Sequence, residues 1–278
     1  MATYENCYEI LANVRQGLNE YSTALLQGTD ATGAYLNSFL IKAINRSVRH
    51  IYGLLLMRMP EIFYESIDLV GVNSVFTLPW DFGRCLYFKD ENGLQVFRIN
   101  PKQLKLANET GNDRLYYQSG QTFVLDKDGV TKTYTLQYYR KPREIHAGKA
   151  STGGSKSITL DAAFAKKIAD YYNGMLYENV TKDHIDTITD YTAARVATIA
   201  AETAAENDYY GIVSDIPEPF HHLIAPKAVH LIKNDSPVAQ EKPTSQSLDE
   251  WTANLSEAIQ SYSGSDDGDV EDLFLDFD

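Results

Sequence analysis

The spacing of apolar residues changes abruptly in the first third of the chain. Leu36, Leu40, Ile44, Val48, Ile51 and Leu55 recur every three or four residues, the period of one buried helix face. Lys42, Arg46, Arg49 and Arg58 lie mostly off that stripe. Pro60 removes a helical hydrogen bond and disfavours helix at Met59, so the helix should end there. From Tyr64 the period falls to two. Ile67 and Leu69 alternate with polar neighbours, then Phe76 and Leu78, and later Tyr134, Leu136 and Tyr138. Turn-forming runs separate these stretches: Asp90-Glu-Asn-Gly93, Glu109-Thr-Gly-Asn-Asp113, Ser119-Gly120 and Asp126-Lys-Asp-Gly129. Short strands at such spacing form an antiparallel sheet, sandwich or small barrel. A chain holding both periods belongs to the α+β class.

The remaining segments predict mostly helix. Residues 4–27 place Tyr8, Leu11, Val14 and Leu18 on one stripe, and Gly28–Gly33 breaks it. Asp161 fits an N-cap for a helix running to about Val180, and the Ala/Thr-rich run from Asp183 to Asn207 predicts a second. A third should follow Pro217-Glu-Pro219, with Phe220, Ile224, Ala228 and Ile232 spaced by four. The expected architecture is a helical bundle with an inserted antiparallel β-sandwich or small barrel, plus an extended acidic C-terminal tail. Its parts are N-terminal helices at 1–63, the β domain at 64–143, a loop at 144–160, C-terminal helices at 161–234 and the tail at 235–278. One amphipathic patch, Leu248 to Ile259, interrupts the tail.

Charge narrows the function. Of the net −13, residues 235–278 carry −11, with twelve acids and one base. An ordinary body with an acidic tail lacks the basic footprint of a nucleic-acid binder. The two cysteines, Cys7 and Cys85, are far apart and outside any CxxC pair, so neither a disulfide framework nor a thiolate zinc site is expected. The N-terminus has no basic region leading into an apolar run, and no segment has the length of a membrane helix. A soluble protein made in a reducing compartment is expected.

The motifs that resemble chemistry mostly fail on spacing. Gly153-Gly-Ser-Lys-Ser157 lacks the spacer and the glycine before lysine of a phosphate loop, and fits a flexible loop. Asp126-Lys-Asp-Gly129 resembles the start of a calcium loop, but the twelfth position is Gln137 where a bidentate glutamate is needed. His221-His222 and His230 have no HExxH context and read as surface or interface histidines. No nucleophile elbow or paired Cys–His spacing occurs. No enzyme, metal or cofactor is expected.

The terminus is the most unusual segment. In Ser265–Asp278, Val270, Leu273, Phe274, Leu275 and Phe277 are embedded among seven acids. A purely solvating tail gains nothing from those side chains. The pattern fits either a solvated tail or a peptide that orders when it docks on a basic, grooved partner.

The runs "FLIKAINRSVRHIY", "MPEIFYESIDLVGVNSVFTLPWDFGRCLYF" and "INPKQL", with the closing "IPEPFHHLIAPKAVHLI", resemble bacteriophage head-to-tail adaptor (connector) proteins, over about half of the chain. The correspondence lies in an "INRA-like" helix, the F-x-LP-x-D segment Phe76–Asp81, and the closing helix at 216–232. The Ala/Thr-rich run and the acidic tail are not part of the minimal family pattern. The resemblance implies a homo-oligomeric ring, twelve-fold in the family, below the portal in the virion neck, assembled in the host bacterial cytoplasm. It implies portal protein and a tail or nozzle protein as partners, DNA passing without specific binding, and no membrane. C-terminal segments that reach onto the portal would assign contacts there to Trp251, Leu273, Phe274, Leu275 and Phe277. Two other readings are a tail-side component, such as a tail tube or nozzle, and a carboxylate-dependent hydrolase, which saturable turnover would reveal.

Overall fold

Asn6 starts the first helix by occupying the free N–H groups of its opening turn. Its Oδ1 accepts from Tyr8 and Glu9 at 2.8 and 3.1 Å, and the Glu9 carboxylate accepts from the Asn6 N–H at 3.1 Å, a reciprocal capping box. Helix α1 spans Cys7–Gly17 and buries Cys7, Ile10, Leu11 and Val14. This computed structural model describes residues 4–20, 36–100, 114–126, 129–235 and 245–263. It divides into two compact units, Met1–Leu55 with Pro142–Asp278, and Leu56–Lys141.

Helix α2 (Asn37–Arg58) ends just before Met59-Pro60, where the proline predicts. Leu40, Ile44, Val48, Ile51 and Leu55 of its predicted stripe are buried, while Leu36 is exposed. Each such burial contributes about 1.5–3 kcal/mol. Asn45 ties the helix to the strand-rich half of its unit. Its amide donates to the Ile145 carbonyl and accepts from the Ile145 N–H, both at 2.8 Å. Helix α3 (Ile224–Asp235) follows a 3₁₀ turn at Glu218–Leu223, and Phe220, Ile224, Ala228 and Ile232 are all buried as their spacing predicts. Helix α4 (Ser245–Ser263) lies in the region expected to be extended, and contains the amphipathic patch.

Residues 144–207 depart from the sequence expectation. The expected loop holds strands β8 (Ala147–Lys149) and β9 (Thr152–Thr159), and the two expected helices are replaced by β10 (Leu176–Asn179), β11 (His184–Tyr191) and β12 (Val196–Thr203). Nine of the 20 residues in 184–203 are Thr, Ile or Val, whose branched Cβ favours strand over helix. Ile185 and Ile188, three apart, read as one helical face. In the strand they lie on opposite faces, 45% and 0% exposed. Asp183, Arg195 and Asn207 have φ of 52°, 68° and 73°, which turns the chain between strands. Asp161 caps no helix; its Oδ1 accepts from the Ala163 N–H at 2.8 Å in a local turn.

With β13 (Tyr209–Ile212) these strands form one six-stranded antiparallel sheet, ordered β8-β13-β10-β11-β12-β9. Its two end strands are consecutive in sequence and joined by two residues, so the sheet must curl most of the way round. Helix α1 packs on α3 and on β13. Its start approaches β13 at Gly211, where a Cβ would stand 2.2 Å from Asn6 Oδ1. The fold is therefore mixed α+β, with helices packed beside a sheet rather than the expected helical bundle.

The second unit, Leu56–Lys141, holds two small sheets. One orders β1 (Tyr64–Val70), β7 (Thr133–Arg140) and β3 (Phe82–Lys89) as β1-β7-β3. The other orders β2 (Val75–Thr77), β6 (Thr122–Leu125), β5 (Leu115–Ser119) and β4 (Phe97–Arg98) as β2-β6-β5-β4, antiparallel except for β4 with β5. Both contribute to one aromatic core. The Phe88 ring sits 5.1–5.3 Å from Phe76, Tyr116, Phe123 and Tyr134, a geometry that adds to plain area burial. Turn chemistry acts as the sequence predicts at Asp90–Gly93: Asp90 Oδ1 accepts from the Asn92 and Leu94 N–H groups and Gly93 has φ 76°.

Candidate functional site

Helices α1, α3 and α4 leave a groove within the first unit. Gly17 lets α1 approach α3 closely, since a Cβ there would stand 2.7 Å from Val229 Cγ2. Between the end of α1, the length of α3 and the first half of α4 lies a cavity of about 700 Å³, within the range of ligand sites.

Its walls are basic. Lys227, His230 and Lys233 recur every three residues along α3, with His222 at the preceding turn, and Glu250 is the one acid among the described lining residues. Lys227 is only 7% exposed. Its ammonium lies 4.4 Å from the Trp251 ring centroid, a cation–π contact, and no carboxylate among the described residues pairs with it. Burial, and then the nearby Arg46 guanidinium, lower its pKa. Burial and Lys227 lower that of His230 as well, and burial with Lys227 and Arg46 holds His50 down at about 4. Arg46 itself pairs with Asp235. With His50 and His230 held neutral, the positive charge of the groove rests on Lys227 and Lys233, against the single described acid Glu250. The groove suits an anionic, partly apolar segment.

Trp251 lies in this groove, buried by its own chain, with its indole N–H donating to the Leu223 carbonyl at 2.9 Å. That placement makes it part of the wall rather than a freely projecting contact. Leu273, Phe274, Leu275 and Phe277 lie outside the described residues. His221 is a correction to the surface reading: it is 1% exposed and its Nε2 lies 2.7 Å from the Ile216 carbonyl. His222 is exposed, and Asp126 is buried near the start of its turn. Burial raises the pKa of both Cys7 and Cys85, so neither is an activated thiolate. Among the described residues no group of three or more His, Cys, Asp or Glu could hold a metal.

A second polar cluster has no counterpart in the sequence reading. His146, 2% exposed, places Nε2 3.1 Å from the Tyr210 hydroxyl and Nδ1 3.2 Å from the Tyr172 hydroxyl. Those hydroxyls accept from the Asp161 N–H at 2.7 Å and the Lys166 N–H at 3.2 Å, and Tyr191 donates to the Lys166 carbonyl at 2.6 Å. Burial, reinforced by Lys166, pushes His146 down to about 3, so the imidazole stays neutral. The cluster satisfies the backbone of 161–166, a segment with no regular secondary structure. No periodicity marks these residues, which come from four separate stretches of chain.

No family model matches this chain, and no curated protein matches it either.

Proposed function

We propose that this protein is a structural component of a bacteriophage virion, a head-to-tail adaptor that forms a ring below the portal. The ring extends the DNA channel and presents a platform for tail or nozzle proteins. The sequence resemblance over 36–143 and 216–232 motivates this reading.

The observation that supports it most is where apolar surface is left uncovered. Of the fourteen exposed large hydrophobics among the described residues, eight lie in the unit Leu56–Lys141, including Val70 (65%), Val72 (63%) and Phe97 (56%). Strand β1 is also an outer strand of its sheet. Uncovered apolar side chains beside an open strand edge are what neighbouring subunits cover in an assembly. With a net charge of −13 per copy, −11 of it on residues 235–278, such a ring offers DNA no basic surface to adhere to.

The test is native mass spectrometry of the purified chain, alone and mixed with assembled portal rings. A monomer or weak associate alone, and a fixed complement of copies per portal ring in the mixture, supports the reading. No association with portal rings contradicts it.

A further inference from the structure

The basic groove and the acidic terminus are chemically complementary. The groove carries Lys227, nine-tenths buried without a carboxylate partner among the described residues, beside His230, Lys233 and the Trp251 ring. Fifteen residues follow Ser263, with seven acids, no base, and Val270, Leu273, Phe274, Leu275 and Phe277 among them. We propose that residues 270–277 dock in the groove between α1, α3 and α4 of their own chain. The carboxylates neutralise Lys227 and Lys233 while Phe274 and Phe277 fill apolar space beside Trp251. This inference goes beyond the adaptor reading and does not depend on it.

Reach permits the contact. The groove is lined by the first half of α4, up to Asn254. Returning from Ser263 to Asn254 means retracing about 14 Å of helix at ~1.5 Å per residue. Residues 264–269, extended, span about 20 Å at ~3.3 Å each, enough to bring Val270 to the groove. Gly264 directly follows the last helical residue, the residue type that best ends a helix with a reversal. A tether this short gives the tail an effective concentration in the millimolar range. That favours the chain's own groove over a second copy at ordinary protein concentrations. The free chain would thus hold its terminus back from any partner, and a partner must compete for it.

The test is nuclear magnetic resonance of the full-length chain, following the amides of 264–278 and the Trp251 indole N–H. At low salt, amides 270–277 should show the relaxation of an ordered segment, unchanged on dilution. Replacing Phe274 and Phe277 with Ala should return them to disordered values and shift the indole resonance. Lys233→Glu, at a half-exposed lysine, should do the same without loss of the fold by circular dichroism. Disordered tail amides in the wild-type chain overturn the proposal. So does order that disappears on dilution, which would place the tail on a second copy. Tail order that leaves the indole unmoved in both variants places the contact elsewhere and also overturns it.

Discussion

Replacing Tyr210 with Phe removes one oxygen from the buried cluster around His146 and keeps the ring. The residue is fully buried, so water cannot replace the lost group without opening the core. Two partners are stranded: the Asp161 N–H, 2.7 Å from the hydroxyl, and His146 Nε2, 3.1 Å away. Leaving a buried polar group unsatisfied costs about 1–3 kcal/mol, so the pair should lose about 2–6 kcal/mol if their losses add. Aromatic packing on Tyr177 and His146 survives the change, so no cavity term offsets or enlarges this. The assay is guanidinium unfolding followed by tryptophan fluorescence in a Trp80→Phe background. The chain has two tryptophans, so the remaining Trp251 reports on the unit that contains Tyr210. Tyr262→Phe, at an exposed ring, is the control and should change stability by less than about 0.5 kcal/mol. A loss under about 1 kcal/mol for Tyr210→Phe would refute the cluster as the element holding 161–166 in place.

His146 also predicts a pH dependence. It is neutral when folded, with its pKa at about 3 against an ordinary 6.5, so unfolding lets it bind a proton. Its contribution is complete above pH 6.5 and is lost as pH falls towards 3, with a slope near 1.4 kcal/mol per pH unit for one proton. Unfolding at stepped pH should show wild type losing stability more steeply than His146→Phe between pH 6.5 and 3, by about that slope, since His50 and His230 contribute to both proteins alike. Phe88→Ala in the aromatic core of Leu56–Lys141 should cost about 3–5 kcal/mol, and should shift the Trp80 transition more than that of Trp251. Gly17→Leu should weaken the packing of α1 on α3 by about 1–3 kcal/mol through overpacking against Val229, measurable as faster amide exchange in 7–17. On the adaptor reading, deleting 265–278 should reduce the number of phage heads that carry this protein, and unchanged occupancy would mean that the tail makes no portal contact, being either a solvated appendage or a contact for something else, such as its own groove.

What could be read in advance followed from strong, local signals. The α2 stripe, its stop before Pro60, the Phe220–Ile232 spacing and the alternation of Tyr134, Leu136 and Tyr138 each carry one unambiguous period. The stretch 183–207 does not. Alanine favours helix while the threonines and isoleucines favour strand, and pairing with β9 and β10 decides between them. That outcome is a tertiary effect that no window of the sequence contains. The groove was legible only in fragments. The basic residues of α3 could be counted, but a lysine held over Trp251 needs the packing of α4 to be known. The His146 cluster was not legible, because its members are brought together by the curl of the six-stranded sheet.

The proposed adaptor role requires that copies of this chain form a ring between head and tail. Cryo-electron microscopy of intact particles, with the neck reconstructed without imposed symmetry, tests it most directly. A head-to-tail adaptor should appear as a closed ring directly below the portal into which the described units of this chain fit, one copy per repeat. A neck whose density is filled by other proteins, or this chain found only elsewhere in the particle or absent from it, would contradict it.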